Sequence, residues 1–448
     1  MTITPRVRFA PSPTGRMHVG NARTAVICWL FAQRHKGWYL LRIDDTDLER
    51  SKDELTELIK VDLEWLGIKW DEYFHQRDRM ARYTEVIEKL KADGRLYACY
   101  ESPEELDLKR KVLLSQKKPP VYDRASLALT AEQKAEYEKQ GRNPHWRFKL
   151  NHAPIVWNDL IRGEVKFDGS LMSDPVLIRE DGTPLYHLGS VIDDIDYKIT
   201  HIVRGEDHVS NTASHIQMFE AISGTIPQFA HLPLISGADG SKLSKRMGSL
   251  SIGDLRDDTG LEPQSIISLM GRLGTSEPIE AFADPMVMAA TFDFDNFSRG
   301  TPKFDPDELI RLNAKIIHQM NFAQVKDRLI ALVGADVDEA FWDAVRPNLE
   351  VLRDFKDWWT VAKGPVTTNI AAEDKEFIAK AATLLPEGEL TRETWPQWLN
   401  AIKANTDRKG KTLFMPLRQA LTGMDHGPEL DGLLPLIGRQ RVLERLAA

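Results

Sequence analysis

The chain has 448 residues, 42% of them hydrophobic, 28% charged and 8% aromatic, a balance that excludes a disordered or fibrous chain. At roughly 100–200 residues per domain the length allows two to four domains. Lys and Arg number 59 against 67 Asp and Glu, a formal net charge of -8, which excludes a nucleic-acid coat held by bulk charge but not a specific binder with local basic patches. The acidic excess lies in the first 310 residues, because residues 311–448 carry 19 basic and 19 acidic side chains. No apolar run approaches the ~18–20 residues of a membrane span. The start Met1-Thr2-Ile3-Thr4-Pro5 has no signal-peptide pattern, so the expected location is cytoplasmic. Two cysteines, Cys28 and Cys99, supply neither a disulfide framework nor a four-cysteine zinc site.

In chain order, an apolar run from Val7 to Ala10 leads into a Pro/Gly-rich loop, Pro11 to Gly15. A helical pattern follows from about Asn21 to Lys36, with Ala22, Ala25, Val26, Trp29 and Leu30 on one face and Gly37 as its stop. Trp38 to Ile43 reads as a strand ending in Asp44-Asp45-Thr46-Asp47, and Asp53 to Leu66 as an amphipathic helix. This strand–helix–strand–helix order opens an α/β fold with a Rossmann-like parallel sheet, which binds ligands at the C-terminal ends of its strands. Residues 96–185 read differently: Ser102-Pro103-Glu104-Glu105 starts a helix, Trp146 to Leu150 and Ile155 to Phe167 look like strands, and Asp181-Gly182 like a hairpin turn. The sheet resumes with Ile199 to Val203 and a helix from about Asn211 to Ile222; beyond about 310 the pattern is helical, broken at Gly364-Pro365, Pro386 and Gly427-Pro428. The expected organisation is a catalytic domain in two halves, 1–95 and 186–240, an α+β insertion at 96–185, a connecting region at 241–310 and an all-α region at 311–448.

Two constellations carry chemistry. In Pro11-Ser12-Pro13-Thr14-Gly15-Arg16-Met17-His18-Val19-Gly20-Asn21, a loop leads onto a helix N-terminus, whose unpaired N–H groups and positive dipole end attract phosphate. Gly20 is expected to let a ligand approach the backbone, and His18 to donate to phosphate oxygens; the plainer alternative is a histidine that caps its own helix. In Ser241-Lys242-Leu243-Ser244-Lys245-Arg246, three cations within five residues suit a clamp on pyrophosphate, or else a solvated basic loop. Neither G-x-x-x-x-G-K-[ST] nor G-x-G-x-x-G occurs, so the P-loop and dinucleotide readings lose their usual support.

The two segments, in this order and about 225 residues apart, resemble the HIGH-type and KMSKS-type signatures of class I aminoacyl-tRNA synthetases. Arg8-Phe9-Ala10-Pro11-Ser12-Pro13-Thr14-Gly15, Arg42-Ile43-Asp44-Asp45-Thr46-Asp47, Tyr186-His187-Leu188 and Val203-Arg204-Gly205-Glu206-Asp207-His208 narrow the resemblance to the glutamyl/glutaminyl branch. Pro416-Leu417-Arg418-Gln419-Ala420-Leu421-Thr422-Gly423 and Leu436-Ile437-Gly438 resemble the helical anticodon domain of bacterial glutamyl-tRNA synthetases. The insertion is then the acceptor-stem domain, 241–310 the stem-contact region and 311–448 the anticodon-binding domain.

The resemblance implies ATP-dependent attachment of L-glutamate to the 3' end of tRNA(Glu) through glutamyl-adenylate, with tRNA needed for activation. It implies His18, Lys242 and Lys245 as catalytic residues, the histidine at the reacting phosphate and the lysines at pyrophosphate. ATP is expected at Thr14, His18, Gly20, Asn21, Asp207, His208 and Lys245, with Mg2+ on its phosphates. Arg8 and Arg204, whose forks match a carboxylate bidentately, fall where the family holds the glutamate side chain, with Ser12 as a hydroxyl partner. Asp44 matches the ammonium-binding position and Tyr186 closes the pocket. Two positions depart from the family pattern: Asp44 stands where many relatives carry Glu, and Ser190 where many carry Asn. Some relatives hold a structural zinc in the insertion; here only Cys99 is available, so no zinc or other bound metal is expected and Cys99 reads as buried and apolar. A monomer with no DNA or membrane partner is implied. The alternatives are glutamylation of tRNA(Gln) and, in another class, a catalytically idle tRNA-binding paralogue; an all-helical C-terminal third argues against glutaminyl enzymes.

Overall fold

The computed structural model describes residues 4–222, 224–241, 250–368 and 370–447. Two compact units divide the chain: one runs to Leu255 and takes up Ile266–Asp305, the other joins Arg256–Ser265 to the chain from Pro306 onward. The segment 241–310, expected to be one region, is thus shared between them.

The first unit opens with β1 (Arg6–Phe9), α1 (Val19–Arg34), β2 (Trp38–Ile43), α2 (Asp53–Trp65) and β3 (Glu72–His75), the three strands parallel in the order β1-β2-β3. Helices cover such a sheet on its faces, which buries its central strand: every β2 residue after Trp38 is buried, the charged Arg42 included. The helix α1 begins two residues before the expected Asn21, because His18 takes the N-cap. It ends where Gly37 turns the chain, and a Cβ there would stand 2.6 Å from the Pro5 carbonyl oxygen.

After α3 (Met80–Ala92) come β4 (Leu96–Cys99), α4 (Pro103–Ser115), α5 (Ala131–Lys139), β5 (His145–Phe148), β6 (Pro154–Asp159), β7 (Gly163–Asp168) and β8 (Val176–Ile178). Ser102 caps α4 with a full capping box to Glu105, the start its sequence suggests. β4, β5 and β8 form a small antiparallel sheet. The stretch Ile155 to Phe167, expected as strand throughout, is a hairpin. Asp159 makes the turn, its Oδ1 accepting the N–H groups of Ile161 and Arg162, and Gly163 supplies φ +72°. This hairpin does not stay within the insertion's own sheet.

The chain returns through α6 (Tyr186–Asp196), β9 (His201–Gly205), α7 (Val209–Ile222) and β10 (Gln228–Leu232), giving a sheet in the order β7-β6-β10-β9. β6, β10 and β9 are parallel, so the hairpin inside 96–185 extends the second half of the catalytic sheet. Arg6 joins the halves: its carbonyl accepts the Thr200 N–H at 2.9 Å, which brings β9 alongside β1. Leu40, Tyr83, Leu90, Leu188, Ile192, Ile202, Phe219 and Phe229 form the core beneath.

The second unit contains, among the described residues, nine α-helices from Pro306–Gln319 to Arg439–Ala447, around a core that includes Phe341, Trp342, Phe355, Trp398, Leu413 and Leu433. Helices stop at Lys363, before Gly364-Pro365, and at Thr383 and Thr422, ahead of Pro386 and Gly427-Pro428. Pro416, by contrast, lies inside the helix Lys411–Thr422. Its missing N–H frees the Thr412 carbonyl, which accepts from Arg408 Nη1 at 3.3 Å instead. No helix among the described residues is long and apolar enough to cross a membrane.

Candidate active site

The C-terminal ends of β1, β2 and β9 open onto one cavity of ≈ 660 Å³. Arg8, Ser12, Thr14, His18, Gly20, Asn21, Asp44, Tyr186, Arg204, Asp207 and His208, which come from stretches spread over 200 residues of sequence, all line it. Lys242 and Lys245 lie outside the described residues. The segment that follows them is tied to the site, since the Leu250 carbonyl accepts the Val19 N–H at 3.1 Å and Ile252 donates to the Met17 carbonyl at 2.8 Å.

At the helix end of the cavity, His18 Nδ1 accepts the Gly20 N–H at 3.1 Å. Burial pushes the imidazole below its usual value, so the ring is neutral with its proton on Nε2. Helix capping and phosphate donation, alternatives in the sequence, are therefore compatible: one nitrogen caps and the other donates. Gly20 lines the cavity and also meets a local need. A Cβ on it would stand 2.9 Å from His18 Cε1.

At the opposite side three buried arginines differ in their partners. Arg8 Nε donates to Asp194 at 3.1 Å. Arg42, fully buried in β2, donates to both carboxylate oxygens of Asp44 at 2.7 and 3.2 Å and to Asp194 at 3.0 Å, and its Nη2 reaches Ser190 Oγ at 3.2 Å. Arg204 has neutral acceptors instead: Tyr186 Oη at 3.2 Å, Thr212 Oγ1 at 2.6 Å and His231 Nε2 at 3.3 Å. Among the described residues no carboxylate lies within ion-pair distance of it. Burial accordingly pushes the Arg204 guanidinium below its usual value, yet an arginine this basic stays charged. A buried cation without a counter-ion on the wall of a cavity is a receptor for an anion.

Burial raises the Asp44 carboxyl to about 6, against the pull of Arg42. The Ser190 hydroxyl accepts from Arg42 and is not among the cavity-lining residues. Asp207 lines the cavity beside Gly205, where an added Cβ would meet the Asp207 carboxylate at 2.4 Å. Cys99 is buried as expected, but its surroundings are polar: the Tyr122 hydroxyl approaches its sulfur at 3.7 Å. Among the described residues no group of three or more His, Cys, Asp and Glu side chains is placed to hold a metal ion.

Sequence reasoning assigned no role to Arg42, Asp193, Asp194, Asp159, Thr212 or His231. A signal existed for Asp193 and Asp194, since two adjacent carboxylates interrupt the apolar face of α6 and both are buried.

Residues 4–311 match the model of the class I tRNA synthetase (E and Q) catalytic domain, and residues 319–448 that of an anticodon-binding domain. The chain belongs to this synthetase family. Glutamate–tRNA ligase 1 of Maricaulis maris is 54% identical over 442 residues, covering 99% of each chain. Glutamate–tRNA ligase of Azospirillum brasilense is also 54% identical, over 98% of each. Among solved structures, a glutamate tRNA ligase from Elizabethkingia meningosepticum in complex with its amino acid superposes with a TM-score of 0.85 at 25% identity, covering 99% of this synthetase and 98% of that chain.

Proposed function

We propose that this synthetase joins L-glutamate to the 3' end of tRNA(Glu) in two steps. Arg204, a buried cation with only neutral partners on the cavity wall, carries the reading, because it calls for a substrate that brings an anionic side chain. Arg8 and Ser12 flank that side chain, Asp44 takes the ammonium, and Tyr186 closes over it. The glutamate α-carboxylate oxygen then attacks the α-phosphorus of ATP, and the bond to pyrophosphate breaks. Nε2–H of His18 donates to the phosphate oxygens as their charge builds, supported by the N-terminus of α1. Lys242 and Lys245 receive the pyrophosphate. Thr14, Gly20 and Asn21, with Asp207 and His208, cradle the nucleotide. In the second step the terminal ribose hydroxyl of tRNA attacks the acyl carbon and AMP leaves.

Neither step needs a nucleophile from the chain, so positioning and electrostatics carry the rate. Magnesium, implied by the class, neutralises phosphate charge when bound. The nucleotide phosphates would hold it, and Asp44 and Asp207 are the carboxylates that line the cavity among the described residues. The charge balance of residues 311–448 suits a partner read by shape and splayed bases, and a cytoplasmic monomer acting without DNA or membrane belongs to the same reading. The deciding experiment charges purified tRNA(Glu) and tRNA(Gln) side by side with glutamate and glutamine. Glutamate is expected on tRNA(Glu), with pyrophosphate exchange negligible until tRNA is added; equal inactivity of the wild type and Lys245→Ala with every tRNA would defeat the reading.

A further inference from the structure

Behind Arg204 lies a chain of buried groups that touches no part of the cavity. Asp159 ends β6 and His231 sits on the neighbouring β10, both almost wholly inaccessible. The Asp159 carboxylate is fully engaged: Oδ1 accepts the N–H groups of Ile161, Arg162 and His231 at 3.1, 3.0 and 3.2 Å, and Oδ2 meets His231 Nδ1 at 2.5 Å. A carboxylate can only accept, so Nδ1 carries the ring proton and Nε2 is left as an acceptor. Into that lone pair point Arg204 Nε at 3.3 Å and the Thr212 hydroxyl at 2.9 Å, while Thr212 Oγ1 also accepts from Arg204 Nη2.

The contrast with the other buried arginines gives this chain its meaning. Arg8 and Arg42 meet carboxylates directly, at 3.1 and 2.7 Å. Arg204 reaches the Asp159 carboxylate only across an imidazole ring. The ring gives the guanidinium a direction, but it leaves the charge largely unspent.

We propose that Asp159 and His231 are positioning residues that set the preference for an anionic over an amide side chain, by orienting Arg204 through an uncharged acceptor and so reserving its charge for the substrate carboxylate. The inference rests on the reading that Arg204 receives the glutamate side chain. A glutamine side chain in the same place would leave a buried cation uncompensated, which is the costlier mismatch.

The test is steady-state aminoacylation of tRNA(Glu) by the full chain, with KM and kcat for glutamate, glutamine and ATP. His231→Leu removes the acceptor, and Asp159→Asn frees the ring to turn a proton toward Arg204. Both are expected to raise KM for glutamate at least tenfold and to lower the glutamate-to-glutamine ratio of kcat/KM by a similar factor. KM for ATP should stay within about twofold. His231→Gln, whose carbonyl restores an acceptor, should recover most of the ratio, and Thr212→Asp, which puts a carboxylate on Arg204, should lower it with the Asp159–His231 pair intact. Parallel loss for glutamate, glutamine and ATP, or no recovery by His231→Gln, overturns the proposal and leaves a structural pair. If Arg204→Lys loses the ratio but Asp159 and His231 variants keep it, only this proposal falls. If the wild type charges no tRNA with glutamate, the underlying reading has failed, and this one with it.

Discussion

The His18 ring accepts the Gly20 backbone N–H through Nδ1 at 3.1 Å, and that single bond decides what its other nitrogen can do. Neutral and capped on Nδ1, the ring must carry its proton on Nε2 and act there as a donor. Replacing His18 by Asn tests the division of labour, because the amide oxygen can keep the cap while the second donor is lost. The expected result is a fall in kcat of about 10²-fold, the size seen when one preorganised donor is removed, with an unchanged melting temperature. Gly20→Ala should also cost kcat, since its methyl would displace the ring by contact at 2.9 Å from Cε1. A thermal melt beside the kinetics separates the two roles.

Arg42 is the hub beneath the amino-acid end, fully buried and bonded to Asp44 and Asp194, with Asp193 at 3.9 Å. Arg42→Leu would leave these carboxylates facing one another without their shared cation. A loss of about 3–5 kcal/mol is expected for the first unit, as for other buried pairs broken on one side. Arg16→Ala is the control: its partner is also a carboxylate, Asp254, but the Arg16 side chain is 59% exposed. Removing it should cost no more than about 1 kcal/mol. Urea unfolding of both variants provides the comparison.

The residues that touch the cavity were legible because they sit in short runs whose spacing survives without a fold: a loop before a helix, a strand ending in carboxylates. The residues that hold them were not. Asp194 reaches Arg8 across 186 positions and Asp159 reaches His231 across 72, and no local pattern announces such pairs. The hairpin in Ile155 to Phe167 was missed for a related reason. Its turn is made by the Asp159 side chain rather than by an Asn-Gly or Asp-Gly pair, so no familiar hairpin dipeptide marks it in the sequence. Helix ends fared better where a cap is a side chain of a favoured type, as at Ser102, than at His18.

Both cysteines should be silent in the folded protein. Burial pushes the Cys28 thiol up to about 12 and the Cys99 thiol above its usual value, and neither side chain is accessible. The thiolate is the reactive form, so iodoacetamide at pH 8 should modify neither within the time that labels both in urea. Rapid labelling of Cys99 in the native chain would contradict the buried setting beside Tyr122.

The Asp44 carboxyl, raised to about 6 by burial against the opposing pull of Arg42, gives the amino-acid site a pH limit. As pH falls through about 6 the group gains a proton and loses the charge that would hold the substrate ammonium. The expected profile of kcat/KM for glutamate is flat above that value and declines below it, since this parameter reports groups of the free enzyme. Unfolding cannot account for the decline through Asp44. A carboxyl whose value is raised on folding binds its proton more tightly in the folded chain, so between its ordinary value near 3.8 and about 6 its contribution to stability grows as pH falls. Acid therefore weakens binding while, at this residue, favouring the fold. Asp44→Asn should lower kcat/KM for glutamate across the range and abolish the acid limb, with KM for ATP little changed. Persistence of the limb in the variant would assign it to another group.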